Sequence, residues 1–364
     1  MAQWFTILLQ PIILIVSLMI LVKSSDLVSD SSLKISKITS LGEMVIGFLV
    51  LSVVTSLPEL AVSLSAVKSG DIALPIGGLF GSNIANIGLI LGLMAVLSSE
   101  SIRASHEEFR GMLLMMTGTS VLPFLGLFLE ELSYLVGWSL VAMFVIFSIY
   151  SIKRKGGSIK DEDEENSLKM GKRGLLREVG IVIGGVAAVI VSSQFVVESS
   201  VNISDLLGLD QSVIGATVIA LGTSLPELSV SLAAVKKGSM SLALGNILGS
   251  CITNLTLILG IVLSLSTLEI NPLIFTDLVV MLFIINLTLW RFIVDNKIGM
   301  GGGVALLLLY MLFLASTFGV QIVILSPEYL GYVLNSAINM ILQGFPYVLV
   351  GATALILGWL LNKG

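Results

Sequence analysis

Long apolar segments alternate with short polar ones along almost the whole chain. The apolar segments cover approximately 3–23, 42–67, 72–98, 109–129 and 132–152, then 178–199, 211–235, 240–266, 273–294, 302–324 and 335–361. Each has the length that a helix needs to cross a bilayer, so the pattern predicts eleven membrane-spanning helices. Between the fifth and sixth lies a charged stretch, 153–177, containing Asp161-Glu162-Asp163-Glu164-Glu165. It reads as a solvated linker too short to fold by itself.

Two of these segments break the apolar rule in the same way. Thr55-Ser56-Leu57-Pro58-Glu59-Leu60 returns 168 residues later as Thr223-Ser224-Leu225-Pro226-Glu227-Leu228. The same offset carries Val45-Ile46-Gly47 onto Val213-Ile214-Gly215, Gly81-Ser82 onto Gly249-Ser250, Asn86 onto Asn254 and Gly92 onto Gly260. The chain therefore divides into a first repeat (1–152, with its motif at 43–98), the linker 153–177, and a second repeat (178–324, with its motif at 211–266). The segment at 335–361 is an addition. With five helices per half, the second half enters the membrane from the opposite side, and the repeat is inverted.

The basic residues fit this arrangement. With the N-terminus outside, every Lys and Arg of the 19 except Lys68 falls in an inner position, among them Lys34, Arg103, the cluster at 153–177, Lys236, Lys237 and Lys297. Cytoplasmic loops favour such an excess, so the linker and the C-terminus are expected inside. Phe5–Val22 reads as a retained helix, because no basic stretch precedes it.

Composition excludes a soluble enzyme of the same length. The chain is 55% hydrophobic and only 12% charged, against about a quarter charged in soluble domains. Its single cysteine, Cys251, rules out an intramolecular disulfide, and its single histidine, His106, sits among loop charges. No Ser–Lys pair or paired aspartates on facing spans supply a base for a nucleophile. The sequence points to no enzyme activity, cofactor, nucleic acid or obligatory protein partner; the expected partners are ions and the lipid bilayer.

The duplicated motif carries the chemistry. Pro58 and Pro226 cannot donate a helical hydrogen bond, which releases carbonyls around Val54–Ser56 and Gly222–Ser224. Thr55, Ser56, Thr223 and Ser224 add hydroxyls, and Glu59 and Glu227 add charge. An intramembrane carboxylate is expensive and marks an ion pathway far more often than a structural role. On the following helices, Ser82 and Asn86 are four apart, as are Ser250 and Asn254, so each pair shares a face. Packing or supporting roles are expected for Asn83, Asn246, Thr217, Thr253 and Cys251, and Asp277 and Asn286 lie on the ninth segment. Carboxylates, hydroxyls and carbonyls together suit hard cations. Two such breaks at matching positions of two halves point to an ion site where the repeats meet.

These residues resemble the two alpha-repeats of the cation/calcium exchanger superfamily, above all its sodium/calcium exchanger branch. The resemblance implies an all-helical membrane protein of two inverted five-helix repeats, forming a ten-helix core. It implies exchange of calcium for sodium by alternating access, with the first and sixth helices sliding across the rest; the compact size, without a large regulatory domain, suggests a plasma membrane. The ligands it implies are Thr55, Ser56, Glu59, Ser82 and Asn86, with Thr223, Ser224, Glu227, Ser250 and Asn254. There are departures. Asn86 and Asn254 are both amides where the family commonly has one aspartate. Gly78 and Cys251 replace asparagines that Asn246 and Asn83 retain in the other copy. The Gly-Asn-x-x-Glu pattern of the proton/calcium branch is absent, but protonation of the same glutamates remains the alternative to sodium. A cation channel is the third possibility.

Overall fold

The computed structural model describes residues 2–70, 72–98, 102–103, 111–120, 133–153, 171–206, 222, 224–265, 276–294 and 297–317. The expected helix at 335–361, the linker from 154 to 170, Thr217 and Thr223 lie outside these residues. Among the described residues five helices are long and apolar enough to cross a membrane, and one broken pair counts as a sixth. Two shorter apolar helices follow.

The first helix, α1, runs from Ala2 to Thr39 without interruption. The sequence predicts a span ending near residue 23 followed by a loop, and the structure corrects this. Residues 24–36 are rich in serine, which reads as loop. Their hydroxyls instead bond back into the helix, Ser24 Oγ to Ile20 O at 2.6 Å and Ser25 Oγ to Leu21 O at 2.7 Å. Such self-bonding satisfies a small polar side chain within a helix. The seventh helix, α7 (Gly171–Leu206), likewise outruns its expected 178–199, with Ser192 and Ser193 bonding back in the same way. The two helices pack along each other, and at Gly185 an added Cβ would lie 2.6 Å from Val28 Cγ2.

The span expected at 42–67 is two helices, α2 (Glu43–Thr55) and α3 (Leu57–Lys68), bent by 43° at Ser56. Next comes α4 (Ala73–Leu97), then β1 (Ile102–Arg103), a helix α5 at 111–120, and α6 (Ser133–Lys153). In the second half, α8 (Leu225–Lys236) and α9 (Met240–Leu265) correspond to α3 and α4. They are followed by α10 (Thr276–Val294), β2 (Lys297–Ile298) and α11 (Met300–Thr317).

Glycines set the closest approaches. A Cβ on Gly245 would run into the Met44 carbonyl, and one on Gly249 would lie 2.8 Å from Phe48 Cα, so α9 and α2 touch backbone to backbone. A Cβ on Gly260 would meet Gly137 O at 2.8 Å, which brings α9 against α6. The matching glycine of the first copy, Gly92, opposes Gly303 on α11 in the same manner, at 3.2 Å from its carbonyl.

Several positions expected on one side of the membrane do meet. Lys34 lies 3.7 Å from Glu178, Lys237 lies 2.7 Å from Asp30, and the Ser239 hydroxyl bonds Glu43. Arg103 pairs with Lys297 across the short antiparallel β1–β2 ladder. Glu178 is buried, while the Lys34 side chain reaches outward.

Candidate ion site

Both glutamates sit in the first turn of a short helix that opens on a break. Ser56 (φ −85°, ψ 7°) and Ser224 (φ −94°, ψ 5°) leave helical geometry, and proline follows one residue inside each new helix. Proline is well tolerated there, because first-turn N–H groups have no helical partner. Glu59 and Glu227 thereby lie at helix N-termini, where partial positive charge favours a carboxylate.

The carbonyls released by the prolines are fewer than expected. Ser56 O accepts from Leu60 N at 3.1 Å, and Ser224 O accepts from Leu228 N at 3.0 Å. Both are engaged by the helix that starts there. Each proline lacks the donor for the carbonyl four residues earlier, and Val54 O takes a backbone N–H at the end of α2 in its place.

On α4 and α9 the helix widens into π-helical turns at Ala85–Leu91 and Thr253–Ile258. The two wide turns begin 168 residues apart, so the irregularity belongs to the repeat. Ser82 and Ser250 stay in α-helix, whereas Asn86 and Asn254 lie in the wide turn. The simple one-face spacing expected for these pairs is modified accordingly. Single π-turns recur at functional sites because they re-aim side chains without ending the helix.

Nine of the ten expected site residues are described, and all nine are buried: Thr55, Ser56, Glu59, Ser82, Asn86, Ser224, Glu227, Ser250 and Asn254. The structure joins the halves through them. Ser56 Oγ lies 3.4 Å from Glu227 Oε1, and Glu59 is within electrostatic reach of Glu227. Asn254 Nδ2 donates across the halves to Asn83 Oδ1 at 3.1 Å, and Asn83 Nδ2 donates to Cys251 O at 3.1 Å.

The supporting residues have definite partners. Asn246 Nδ2 donates to Ser231 Oγ at 2.9 Å and to Glu227 O at 3.4 Å, while its Oδ1 faces Thr55 Oγ1 at 3.5 Å. Ser52 bonds Phe48 O and lies 3.4 Å from Thr253 Oγ1. Ser52 and Ser231 carried no motif signal, since an isolated serine is common in membrane helices; only its place opposite a partner gives it meaning. Asn286 Nδ2 donates to Ser120 Oγ at 2.7 Å.

Among the described residues, eleven buried side-chain polar atoms lack a hydrogen-bond partner, and six of them belong here: Glu59 Oε2, Asn86 Oδ1, Ser224 Oγ, Glu227 Oε2, Ser250 Oγ and Asn254 Oδ1. Buried polar atoms are rarely left unpaired, so such a concentration needs a chemical reason. All six are oxygens able to accept. The described residues hold no cluster of three or more His, Cys, Asp or Glu of the kind that binds zinc. Neutral oxygens around two carboxylates are instead a shell for hard cations.

Known proteins resemble the chain over most of its length. The family described as "Sodium/calcium exchanger protein" matches residues 9–153 and 178–319. The sodium/calcium exchanger MaX1 of Methanosarcina acetivorans is 32% identical over 348 residues, covering 84% of this chain and 98% of that protein. The inner membrane protein YrbG of Escherichia coli is 32% identical over 294 residues, covering 78% and 90%. The solved structure of the sodium-calcium exchanger NCX_Mj soaked with 10 mM Na+ and zero Ca2+ superposes with a TM-score of 0.73 at 29% identity, covering 85% of this chain and 99% of that one. The chain is a helical integral membrane protein and belongs to the sodium/calcium exchanger family.

Proposed function

We propose that the chain exchanges calcium for sodium by alternating access, at a site built on Glu59 and Glu227 with Thr55, Ser56, Ser82, Asn86, Thr223, Ser224, Ser250 and Asn254. The observation that carries this reading is the set of six unpartnered buried oxygens gathered from both halves around two carboxylates. The glutamates together carry −2, which one calcium or two sodium ions neutralise. An empty site leaves two close, desolvated charges uncompensated, so the unloaded carrier is slow to change sides. That penalty favours exchange over leak and over an open channel. MaX1 and NCX_Mj are named as sodium/calcium exchangers, which supports the choice of ions.

The protein acts in the plasma membrane, with the N-terminus outside and the 153–177 linker and C-terminus in the cytoplasm. The contacts among Asp30, Lys34, Glu178 and Lys237 support this orientation, because they gather at one end the positions that the charge distribution puts inside.

The test is radiolabelled calcium uptake into sodium-loaded proteoliposomes by the native chain and by Glu59→Gln, with potassium-loaded vesicles and a proton gradient as controls. Sodium-dependent uptake that disappears in Glu59→Gln is the expected result. Uptake driven by a pH gradient alone would replace sodium with protons at the same glutamates. No calcium flux under either gradient would overturn the reading.

A further inference from the structure

Outside the ten candidate ligands, Asn83 has the firmest hold on the site. Its Nδ2 donates to the backbone carbonyl of Cys251 at 3.1 Å. A carbonyl only accepts, so the Asn83 amide has one orientation, with Oδ1 turned to Asn254. Asn254 must then present its Nδ2, at 3.1 Å, and its Oδ1 is left buried and unpartnered. A carboxylate at 254 would set oxygen against oxygen. The other copy has no equivalent amide pair, because Cys251 stands where Asn83 stands in the first repeat.

We propose that Asn83 is a positioning residue for cation binding: it holds the Asn254 amide with Nδ2 turned to Asn83, and so leaves Asn254 Oδ1 aimed free for a cation. This rests on the exchange reading above, and its test therefore measures binding rather than transport. Calcium binding to the purified full chain, and its displacement by sodium, is read by titration calorimetry. Asn83→Ala and Asn254→Ala should each weaken cation binding about tenfold, and the double variant no further than the weaker single one. Asn83→Ser, whose hydroxyl can donate, should improve binding by Asn254→Asp relative to Asn254→Asp alone. Unchanged affinity in Asn83→Ala, or fully additive losses in the double variant, would overturn the proposal. No calcium binding by the native chain would overturn the exchange reading and this one with it.

A different set of observations concerns the helices that flank the site. Ser24-Ser25-(x)2-Val28-x-Asp30-Ser31-Ser32 on α1 returns at the same 168 offset on α7 as Ser192-Ser193-(x)2-Val196-x-Glu198-Ser199-Ser200. The two copies have unequal surroundings. On α1, Ser29 Oγ bonds Val230 O at 3.3 Å and Asp30 pairs with Lys237 at 2.7 Å, so α1 lies closed along α8. Val230 is 0% exposed, whereas its counterpart Val62 on α3 is 54% exposed. Among the described residues α7 makes no comparable packing along α3, and neither Glu198 nor Lys68 has an ion partner.

We infer two mutually exclusive latches: Asp30–Lys237, closed here, shuts one end of the site, and Glu198–Lys68 shuts the other when α1 and α7 shift together. Lys237 corresponds to Ser69, and Lys68 stands one residue before it, within reach of a side chain as long as glutamate. The close approach of Gly185 to Val28 couples α1 to α7, so closing one end opens the other. The inference also accounts for Lys68, the one basic residue that the charge distribution leaves outside. It rests on alternating access, but crosslinking reads it independently of ion choice.

Asp30→Cys/Lys237→Cys and Glu198→Cys/Lys68→Cys would be treated in vesicles with a short bifunctional thiol reagent. The first pair should link without turnover; the second should link only while both ions are supplied, and each link should stop flux. Where a cysteine pair fails to fold, charge exchange serves instead. Asp30→Lys should change the apparent affinities on the two sides in opposite directions, by up to about fivefold for an exposed pair, and Lys237→Asp should restore them. Linking of both pairs in one molecule, failure of the second pair to link during sustained flux, or no rescue by the exchanged charges would overturn the latches.

Discussion

Ser56 Oγ stands 3.4 Å from Glu227 Oε1, so a hydroxyl from the first repeat touches the carboxylate of the second. The bond crosses the interface between the halves and leaves Glu227 Oε2 free. A hydrogen bond to a charged group is worth about 1.5–3 kcal/mol. Ser56→Ala should therefore raise the half-saturating calcium concentration about tenfold or more in uptake assays, with expression unchanged. An unchanged affinity would mean that the hydroxyl does not help to hold the carboxylate for its ion.

Asn246 ties three groups together: Ser231, the Glu227 carbonyl and Thr55. Asn246→Leu removes the donors and leaves Ser231 and Thr55 buried with less satisfaction. The expected loss is about 1–3 kcal/mol for each group stranded. Thermal unfolding in detergent should show it as a lowered midpoint.

Gly245 and Gly78 separate close packing from open space. A Cβ at Gly245 runs into the Met44 carbonyl, a backbone atom that cannot rotate away. At Gly78 an added Cβ meets nothing within 4 Å. Gly245→Ala should cost several kcal/mol, roughly the scale of overpacking in a tight core, while Gly78→Ala should be neutral. Yield of monodisperse protein after solubilisation distinguishes the two.

Neutralising the glutamates should stabilise the fold. Calcium at about 100 times its dissociation constant adds about 2.7 kcal/mol if it binds only the folded chain. The unfolding midpoint should rise with calcium and fall when a chelator is added in sodium-free buffer. In Glu227→Gln the response to calcium should vanish, and a full response there would remove Glu227 from the site.

The glutamates, the prolines and the repeat offset were legible in the sequence because their signal is local. A carboxylate within an apolar span is anomalous in any fold, and its duplication fixes the correspondence of the halves. The ends of α1 and α7 were not legible, because serines that bond to their own helix look the same in sequence as serines in a loop. The π-turns at Asn86 and Asn254 were hidden for a similar reason: they change the aim of a side chain without changing its apolar surroundings. That Ser56 O and Ser224 O are engaged depended on the hydrogen bonds of Leu60 and Leu228, formed only once each new helix starts.

By itself, then, the sequence determined the apolar spans, the two copies of the motif and the oxygen chemistry available to them. Tertiary structure decided which partner each polar atom takes. Asn83 holds Asn254 across the repeats, Asn246 holds Ser231 within its own, and α1 closes along α8 while Val62 on α3 stays exposed. Sequence symmetry alone would make the two halves equivalent. Only packing distinguishes them: α1 lies along α8, whereas the matching Val62 on α3 is exposed.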